Sequence, residues 1–356
     1  MKKLLLLTFL FTSFLCEAQP KPVIEWQKTI GGNGEDNLYD IQLTTDGGYI
    51  LGGSSESNIN GEKTDISRSG MDYWVVKLNT DGTIVWQKTI GGSNNDWLKS
   101  VQQTADGGYI LGGYSSSIIS GEKTENRRGP NNDYWIVKLN ADGSIAWQKT
   151  IGGDLEDEFT EIHQTSDGGY IVGGLSFSNI SGEKTENNRG SSNGCDYWVI
   201  KLNATGDIVW QKTIGGSGND RLYTIKQTTD GGYILGGASN SGISGEKTGN
   251  NRGAPITTDY WVLKLNATGD IIWQKTIGGS DFDDLNSVQQ TNAGGYILAG
   301  RSYSNISGEK TENYRGSTSN YDYWVVKLNV NGTIVWQKTI GGSDDDGLQS
   351  IQQTSD

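Results

Sequence analysis

Residues that commonly perform covalent or metal chemistry are scarce in this chain. Its 356 residues include two cysteines, Cys16 and Cys195, and one histidine, His163. So few cysteines exclude a disulfide framework, and a single histidine leaves no zinc-ligand spacing. No Ser/His/Asp set and no phosphate-cradling glycine loop can be recognised. We therefore predict that the protein is not an enzyme.

Long apolar runs are equally rare, and the longest lies at the N-terminus. Lys2 and Lys3 precede an apolar run over residues 4–15, and Ala18 offers a small residue for cleavage. This order is typical of a secretory signal peptide, and the run is shorter than the ~20 residues of a membrane-spanning helix. A lipid-anchored Cys16 is the alternative, but Leu15 stands where a small residue is expected. We predict a signal peptide over residues 1–18 and an exported protein that does not insert into a membrane.

Positive charge is also in short supply. The chain has 29 Lys and Arg against 42 Asp and Glu, a net charge of −13. Loss of residues 1–18 leaves 27 basic and 41 acidic residues, a net charge of −14. Such a surface repels phosphate backbones and anionic membranes, which argues against nucleic acid as a partner. The alternative is that the charge only keeps an exported protein soluble.

Tryptophan is abundant, and it recurs at regular intervals. Eleven of the twelve tryptophans fall in two motifs, and Trp97 is the exception. WQKTIGG begins at residues 26, 86, 147, 210, 273 and 336, and DYW begins at residues 72, 133, 196, 259 and 322. This period of 60 to 63 residues predicts a repeat architecture.

Each period contains four predicted strands joined by short glycine turns. In the second copy they cover residues 96–104, 109–115, 133–140 and 144–151. Asp-Gly, Asn-Gly and Thr-Gly pairs connect them, because glycine supplies the positive φ that tight hairpin turns need. β-branched and aromatic residues dominate the strands, and helical spacing is absent. Each period is therefore predicted to be a four-stranded antiparallel meander.

One such sheet cannot cover both of its own faces. A buried Trp or Tyr hides roughly 150–250 Å², worth up to about 4–6 kcal/mol, and a neighbouring copy must supply the cover. Radial stacking predicts a β-propeller over residues 19–356, with five complete blades, an N-terminal fourth strand near residues 24–30 and a C-terminal partial blade. A linear β-solenoid is the alternative, although its coils are usually much shorter. The last copy stops within a hairpin, which predicts a truncated ring of six or more blades.

The repeated motifs resemble a known group of bacterial repeats. The pattern GGxxxD, DGGYIxxG, DYWVxKLN and WQKxIGG, carried by residues 22–356, resembles β-propeller repeats of the SBBP type. That resemblance implies an exported bacterial protein, secreted or at the cell surface, of the kind associated with type IX secretion. It implies no activity, because the family is defined by its repeat and a fold does not fix a function.

Three acids in each copy are predicted to reach the face of the ring that carries the long loops. One begins the first strand, one belongs to the GEKT motif, and one opens DYW. A ligand-binding surface is predicted at these acids, represented by Glu62, Glu122, Glu183, Glu246, Glu309, Asp96, Asp220, Asp133 and Asp196.

These acids also have a structural and a metal interpretation. In the structural one, the aspartates accept backbone N–H bonds in glycine-rich turns, and the glutamates latch each loop to the adjacent blade. In the metal one, the acidic rim holds calcium, although the spacing matches no D-x-D-x-D-G loop. No other cofactor is predicted.

Two further features are candidate contributors to a site. Aromatic residues near the loops suit stacking on sugar rings, although scattered surface aromatics are ordinary; they are Tyr114, Phe177, Tyr303 and Tyr314. His163 stands where other copies carry Gln or Lys, which predicts a solvent-facing strand residue.

The functional prediction is a monomeric, non-enzymatic binding or adhesion module. It would contact an extracellular polysaccharide or a surface protein, and repetition of weak sites would strengthen binding through multivalency. A structural scaffold within a larger surface protein is the alternative, and a glycan-cleaving enzyme is the third candidate.

Overall fold

The computed structural model describes residues 23–190, 194–316 and 320–354. The predicted signal peptide and Cys16 lie outside these residues. Within them the chain forms twenty β-strands in five sheets of four strands each. No helix in the described ranges is long and apolar enough to cross a membrane.

The strand bounds follow the repeat. They are β1 (Asp36–Leu43), β2 (Tyr49–Ser55), β3 (Asp72–Leu78), β4 (Ile84–Ile90), β5 (Asp96–Gln103), β6 (Tyr109–Ser115), β7 (Asp133–Leu139), β8 (Ile145–Ile151), β9 (Asp157–Gln164), β10 (Tyr170–Ser176), β11 (Asp196–Leu202), β12 (Ile208–Ile214), β13 (Asp220–Gln227), β14 (Tyr233–Ser239), β15 (Asp259–Leu265), β16 (Ile271–Ile277), β17 (Asp283–Gln290), β18 (Tyr296–Ser302), β19 (Asp322–Leu328) and β20 (Ile334–Ile340).

Each sheet is one sequence repeat whose four strands pair in chain order. The first sheet runs β1-β2-β3-β4, and the other four follow the same antiparallel scheme. Gly47 and Gly82 close its two tight turns with φ of 80° and 78°, a conformation that favours glycine. The third strand is buried along its whole length in the first four sheets. The core therefore lies between successive sheets.

An aromatic pair repeats at each junction between sheets. The Tyr73 ring lies 4.8 Å from the Trp135 ring of the next sheet, and its hydroxyl donates to the Trp135 carbonyl at 2.9 Å. The same ring pairing joins Tyr134 to Trp198, Tyr197 to Trp261, and Tyr260 to Trp324. The hydroxyls of Tyr197 and Tyr260 also donate to the partner tryptophan carbonyl, whereas that of Tyr134 donates to the Leu175 carbonyl at 3.3 Å. Each sheet thus completes its core against the next copy, as the repeat predicts.

The first strands of successive sheets pack on one another, from β1 on β5 to β13 on β17. Each is the edge strand of its sheet, and side chains of the preceding repeat satisfy its free N–H groups. The Val101 N–H donates to Asp40 at 2.9 Å, and the Ile225 N–H donates to Glu161 at 2.9 Å. These side chains protect edges that would otherwise pair with another chain.

The structure confirms the repeated four-stranded antiparallel sheets, and none of the described sheets is closed. The predicted strand near residues 24–30 is not paired into a sheet. Instead, Trp26 packs edge-on against Tyr49 at 5.7 Å. Residues 23–30 pair with no strand among the described residues, so the predicted strand is not formed, although Trp26 occupies the position of a fourth-strand tryptophan.

Candidate functional site

The GEKT glutamates join successive repeats. Glu122 accepts the Gly91 N–H at 3.1 Å and forms an ion pair with Arg68 of the preceding loop. Equivalent pairs join Arg128 to Glu183 at 2.7 Å, Arg189 to Glu246 at 2.9 Å, and Arg252 to Glu309 at 2.7 Å. Among the described residues, the only donor to the Glu62 carboxylate is the Gly31 N–H at 3.3 Å. This geometry fits the latch interpretation, and a ligand role for these residues stays a prediction.

The latches make a matched test possible. Glu183→Ala should lower the free energy of unfolding by about 1–2 kcal/mol, because it leaves Arg128 and the Gly152 N–H without their carboxylate. Glu62→Ala should cost less, because Glu62 has no arginine partner among the described residues. Urea unfolding of both variants measures the difference. Equal losses would contradict the latch.

The predicted aspartates lie inside the protein. Asp96 and Asp133 are fully buried, as are Asp196 and Asp220. Asp96 accepts the Gly92 N–H at 2.7 Å and the Ser117 hydroxyl at 3.0 Å. Asp133 accepts the Arg128 N–H at 2.6 Å, and Asp196 accepts an arginine N–H in the same way. These acids hold the turns beneath the loops, whereas the sequence predicted them at an accessible rim.

Burial dominates the electrostatics of these aspartates. It raises the pKa of Asp96 to about 6 and the pKa of Asp133 to about 7. Each keeps one carboxylate oxygen without a hydrogen-bond partner among the described residues. The GEKT lysine lies nearby: Lys123 donates to Thr150 at 2.6 Å, and burial lowers the Lys123 pKa to about 8. The described residues include no group of three or more His, Cys, Asp or Glu placed to hold a metal, and calcium binding stays a prediction.

Side chains that differ between copies collect on the first strands. The first position of these strands is Asp in every sheet, the third is Leu or Phe, and the sixth is Ile or Val. The second and fourth positions carry unrelated chemistry. In chain order the second position holds Asn37, Trp97, Glu158, Arg221 and Asp284, and the fourth holds Tyr39, Lys99, Thr160, Tyr223 and Asn286. The sequences of the copies therefore differ where the first strands of neighbouring sheets meet.

A lysine surrounded by aromatic rings lies in this divergent zone. The Lys99 ammonium is 3.9 Å from the centre of the Tyr39 ring, 5.5 Å from that of Tyr114 and 5.8 Å from that of Trp97. Burial lowers the Lys99 pKa, and Glu158 opposes that shift. Burial raises the pKa of Glu158, and Arg221 acts against it. The three residues come from successive sheets, and Glu158 lies within electrostatic reach of both Lys99 and Arg221.

None of these three charged side chains belongs to an ion pair within the described ranges. The repeated lysine of DYW-V-x-K-L-N behaves differently, since Lys77 and Lys138 pair with Asp46 and Asp106 at 2.9 and 3.0 Å. Lys99 and Glu158 are half-buried and Arg221 is exposed. Charges of both signs beside aromatic rings can take a ligand that carries both charges. We call Lys99, Glu158 and Arg221, with their aromatic neighbours, the axial site.

A second polar cluster lies further along the same strands. Glu161 contacts Lys226, accepts the Thr224 hydroxyl at 3.2 Å, and lies 2.9 Å from the His163 ring nitrogen. Burial alone would raise the Glu161 pKa, but His163 and Lys226 hold it well below its usual range. The His163 side chain is only 14% exposed, so the predicted solvent-facing role was wrong. The reason is the neighbouring sheet, whose lysine shares the carboxylate.

Sequence reasoning found part of this zone. Tyr114 was selected for its position near a loop, and it forms one wall of the axial site. Tyr303 packs against Tyr321 at 5.0 Å on the fifth sheet, and Phe177 and Tyr314 are half-buried. Lys99, Glu158 and Arg221 were missed. Two signals pointed to them: variation among near-identical copies, and Trp97 as the tryptophan outside both motifs.

Comparison with known proteins gives a general picture. No family model matches the chain. Regulatory protein FlaEY of Caulobacter vibrioides is 23% identical over 302 residues, which is 76% of this chain and 30% of that protein. The chain therefore spans less than a third of the length of this relative. The resemblance to SBBP-type repeats stays a prediction.

The solved structures that match the chain have unrelated names. A protein of Dyadobacter fermentans is 11% identical over 89% of this chain and 87% of that one, with a TM-score of 0.48. Sqt1 of Chaetomium thermophilum is 12% identical over 90% of this chain and 64% of that one, with a TM-score of 0.45. A Synechocystis apocarotenoid oxygenase is 10% identical over 88% of this chain and 64% of that one, with a TM-score of 0.44.

The last match corrects the functional prediction. Because the similar structures include an enzyme, they contradict the prediction of a non-enzymatic binding or adhesion module, and that prediction is withdrawn. At 10% identity and a TM-score of 0.44, the match assigns neither the activity nor the substrate of that enzyme to this chain.

Proposed function

We propose that the protein is a β-propeller whose function is carried by the axial site, where it binds one small zwitterionic molecule as ligand or substrate. The observation behind the proposal is the set of charged residues Lys99, Glu158 and Arg221. They come from three sheets, lack ion pairs among the described residues, and lie beside aromatic rings.

An electrostatic interaction between the first and fourth sheets supports a radial arrangement of the sheets. Burial raises the pKa of Asp40 on the first sheet, and Lys226 on the fourth sheet lowers it. Packed sheets lie about 10 Å apart, so a linear stack would place these two groups about 30 Å from each other. Charges at that distance are screened, since the Debye length is about 8 Å at physiological salt. This supports the proposal that the first strands surround a common axis, as in a propeller.

Both halves of a zwitterion find a partner in the axial site. A carboxylate would pair with Lys99 or Arg221, and an ammonium group would pair with Glu158. The rings of Tyr39, Trp97 and Tyr114 would pack against an apolar or flat part of the ligand. Charge-assisted hydrogen bonds of this kind contribute about 1.5–3 kcal/mol each where water is partly excluded.

Free amino acids are the simplest probes of this proposal. Saturation-transfer NMR with the twenty common amino acids should detect binding, and Trp97 fluorescence should report it. Lys99→Ala and Arg221→Ala should each weaken binding at least tenfold, whereas Lys212→Ala on the outer fourth strand β12 should leave it unchanged. No contact with any amino acid, or equal affinity in all variants, would overturn the proposal.

A further inference from the structure

We call the face of a sheet that packs on the preceding sheet its front face. The four junctions between sheets show what covers this face. At the first junction, Ile50, Tyr73 and Val75 of one sheet pack on Leu98 and Leu111 of the next. The tyrosine lies so close that a Cβ added to Gly113 would come within 2.6 Å of the Tyr73 hydroxyl oxygen. Glycines at the same position adjoin the equivalent tyrosine at the other three junctions. A strand-two isoleucine, a strand-three tyrosine and a strand-three valine or isoleucine are the contributions that every junction shares.

The front face of the first sheet lacks those contributions among the described residues. Leu38 is 57% exposed and Ile41 is 52% exposed, whereas Leu98 and Val101 at the same positions of the second sheet are fully buried. These side chains are constant in type throughout the repeats, so they are built for burial. The first sheet therefore exposes an apolar face. In each of the other four sheets the same face is covered by the preceding sheet.

A cavity lies on the first sheet at the position that the strand-three tyrosine fills at the internal junctions. It has a volume of about 220 Å³ and is lined by residues that include Leu51, Gly53, Trp74 and Val76. Gly53 and Trp74 are the counterparts of Gly113 and Trp135, which hold the Tyr73 ring at the first junction. The cavity is therefore lined by the same residue types that hold the Tyr73 ring between the first and second sheets.

The outer part of the same face is already covered by residues 26–32. Trp26 packs on Tyr49 at 5.7 Å, as Trp86 packs on Tyr109 at 5.5 Å. Ile30 joins the cluster of Trp74, Val76 and Leu78. This segment takes the place of a preceding fourth strand, and the places of a second and a third strand beside it hold no described residue.

The fifth sheet shows the complementary gap. Tyr323 is half-buried, and it is not paired with a tryptophan in the described part of the chain, unlike its four counterparts. Leu348 and Ile351 cover only the inner part of this sheet, where the Ile351 N–H donates to Ser287 at 3.3 Å. Residues 346–353 therefore lie where a next first strand would lie, again without its second and third strands.

We propose that the front face of the first sheet is a docking site for a β-hairpin of the repeat's own type, supplied by a partner polypeptide. Its third strand would insert a tyrosine into the cavity over Trp74 and donate the hydroxyl hydrogen bond to the Trp74 carbonyl. The tryptophan on the other face of that strand suits Tyr323, which has no tryptophan partner among the described residues. Continuity with the four internal junctions selects this occupant over an unrelated apolar partner.

A peptide with the sequence of residues 108–140 is the direct probe, because it contains the second and third strands of one repeat. Fluorescence anisotropy should show saturable binding to the full chain. The Tyr134→Ala peptide should bind at least tenfold more weakly. On the protein, Leu38→Glu should abolish binding, whereas Ile59→Glu, at an exposed loop isoleucine, should not.

A second experiment does not require the free peptide to fold by itself. The same segment joined after Asp356 should raise the melting temperature by several degrees, and its Tyr134→Ala version should not. No binding and no rise in melting temperature would overturn the proposal, as would equal effects of both versions. A stable dimer in gel filtration that Leu38→Glu dissociates would assign the face to a second copy instead. None of these outcomes depends on the axial site.

Discussion

Tyr197→Ala should lower the free energy of unfolding by about 3–5 kcal/mol, the usual cost of truncating a buried aromatic side chain. The Tyr197 ring is fully buried, lies 5.0 Å from the Trp261 ring, and donates its hydroxyl to the Trp261 carbonyl at 3.1 Å. The substitution leaves a cavity between two sheets and a carbonyl without its donor. Urea unfolding followed by tryptophan fluorescence measures the loss.

Tyr323 provides the matched control in the same chain. It holds the same position of the repeat, but it is half-buried and has no tryptophan partner among the described residues. Tyr323→Ala should therefore cost roughly a third as much, or less. If both variants lose the same free energy, the stability comes from within each sheet, and the account of cores shared between repeats fails.

The protein should be more stable at pH 5 than at pH 8. Burial raises the pKa of the DYW aspartates Asp72, Asp133, Asp196 and Asp259 to about 7 each. An acid whose folded pKa exceeds its unfolded value of about 3.9 stabilises the fold at low pH and loses that contribution as pH rises through the folded pKa. Stability should therefore fall between pH 5 and pH 8, with a drop of several degrees in melting temperature.

Other groups do not cancel this trend within that window. Asp106, Asp167 and Asp230 have a pKa of about 2, so their contribution is lost only as pH falls below about 4. The buried Lys123 titrates at about pH 8, above most of the window. Asp133→Asn should reduce the slope of stability against pH, because it removes one titrating group. A flat profile from pH 5 to pH 8, or an unchanged slope in the variant, would contradict the assignment.

The sequence predicted the repeated sheets because the period, the glycine turns and the aromatic spacing are all local signals. The positions of the acids depend on packing that no local signal carries. GEKT has the composition of an exposed loop, yet Lys123 is almost fully buried and Glu122 pairs with an arginine of another repeat. Only the alignment of two copies in space shows that Arg68 and Glu122 face each other.

The axial site shows a different limit. Its residues stand out in the sequence as positions where the copies differ. The prediction used only positions that repeat, so it gave no weight to these differences. His163, in the second polar cluster with Glu161 and Lys226, shows the same limit, because variation between Gln, Lys and His indicates exposure when strands are considered singly. In the folded chain the three sheets that carry Asp40, Glu161 and Lys226 bring these variable positions within electrostatic reach of one another.

The central claim is that all five sheets surround one axis, and the pKa of Asp40 tests it most directly. NMR titration of the Asp40 carboxyl carbon in the native chain and in Lys226→Met measures the influence of the fourth sheet on the first. The account predicts a raised pKa in the native chain and a further rise in the variant, with no change in Lys212→Met. An Asp40 pKa that is the same with and without Lys226 would place the two sheets far apart and contradict the account.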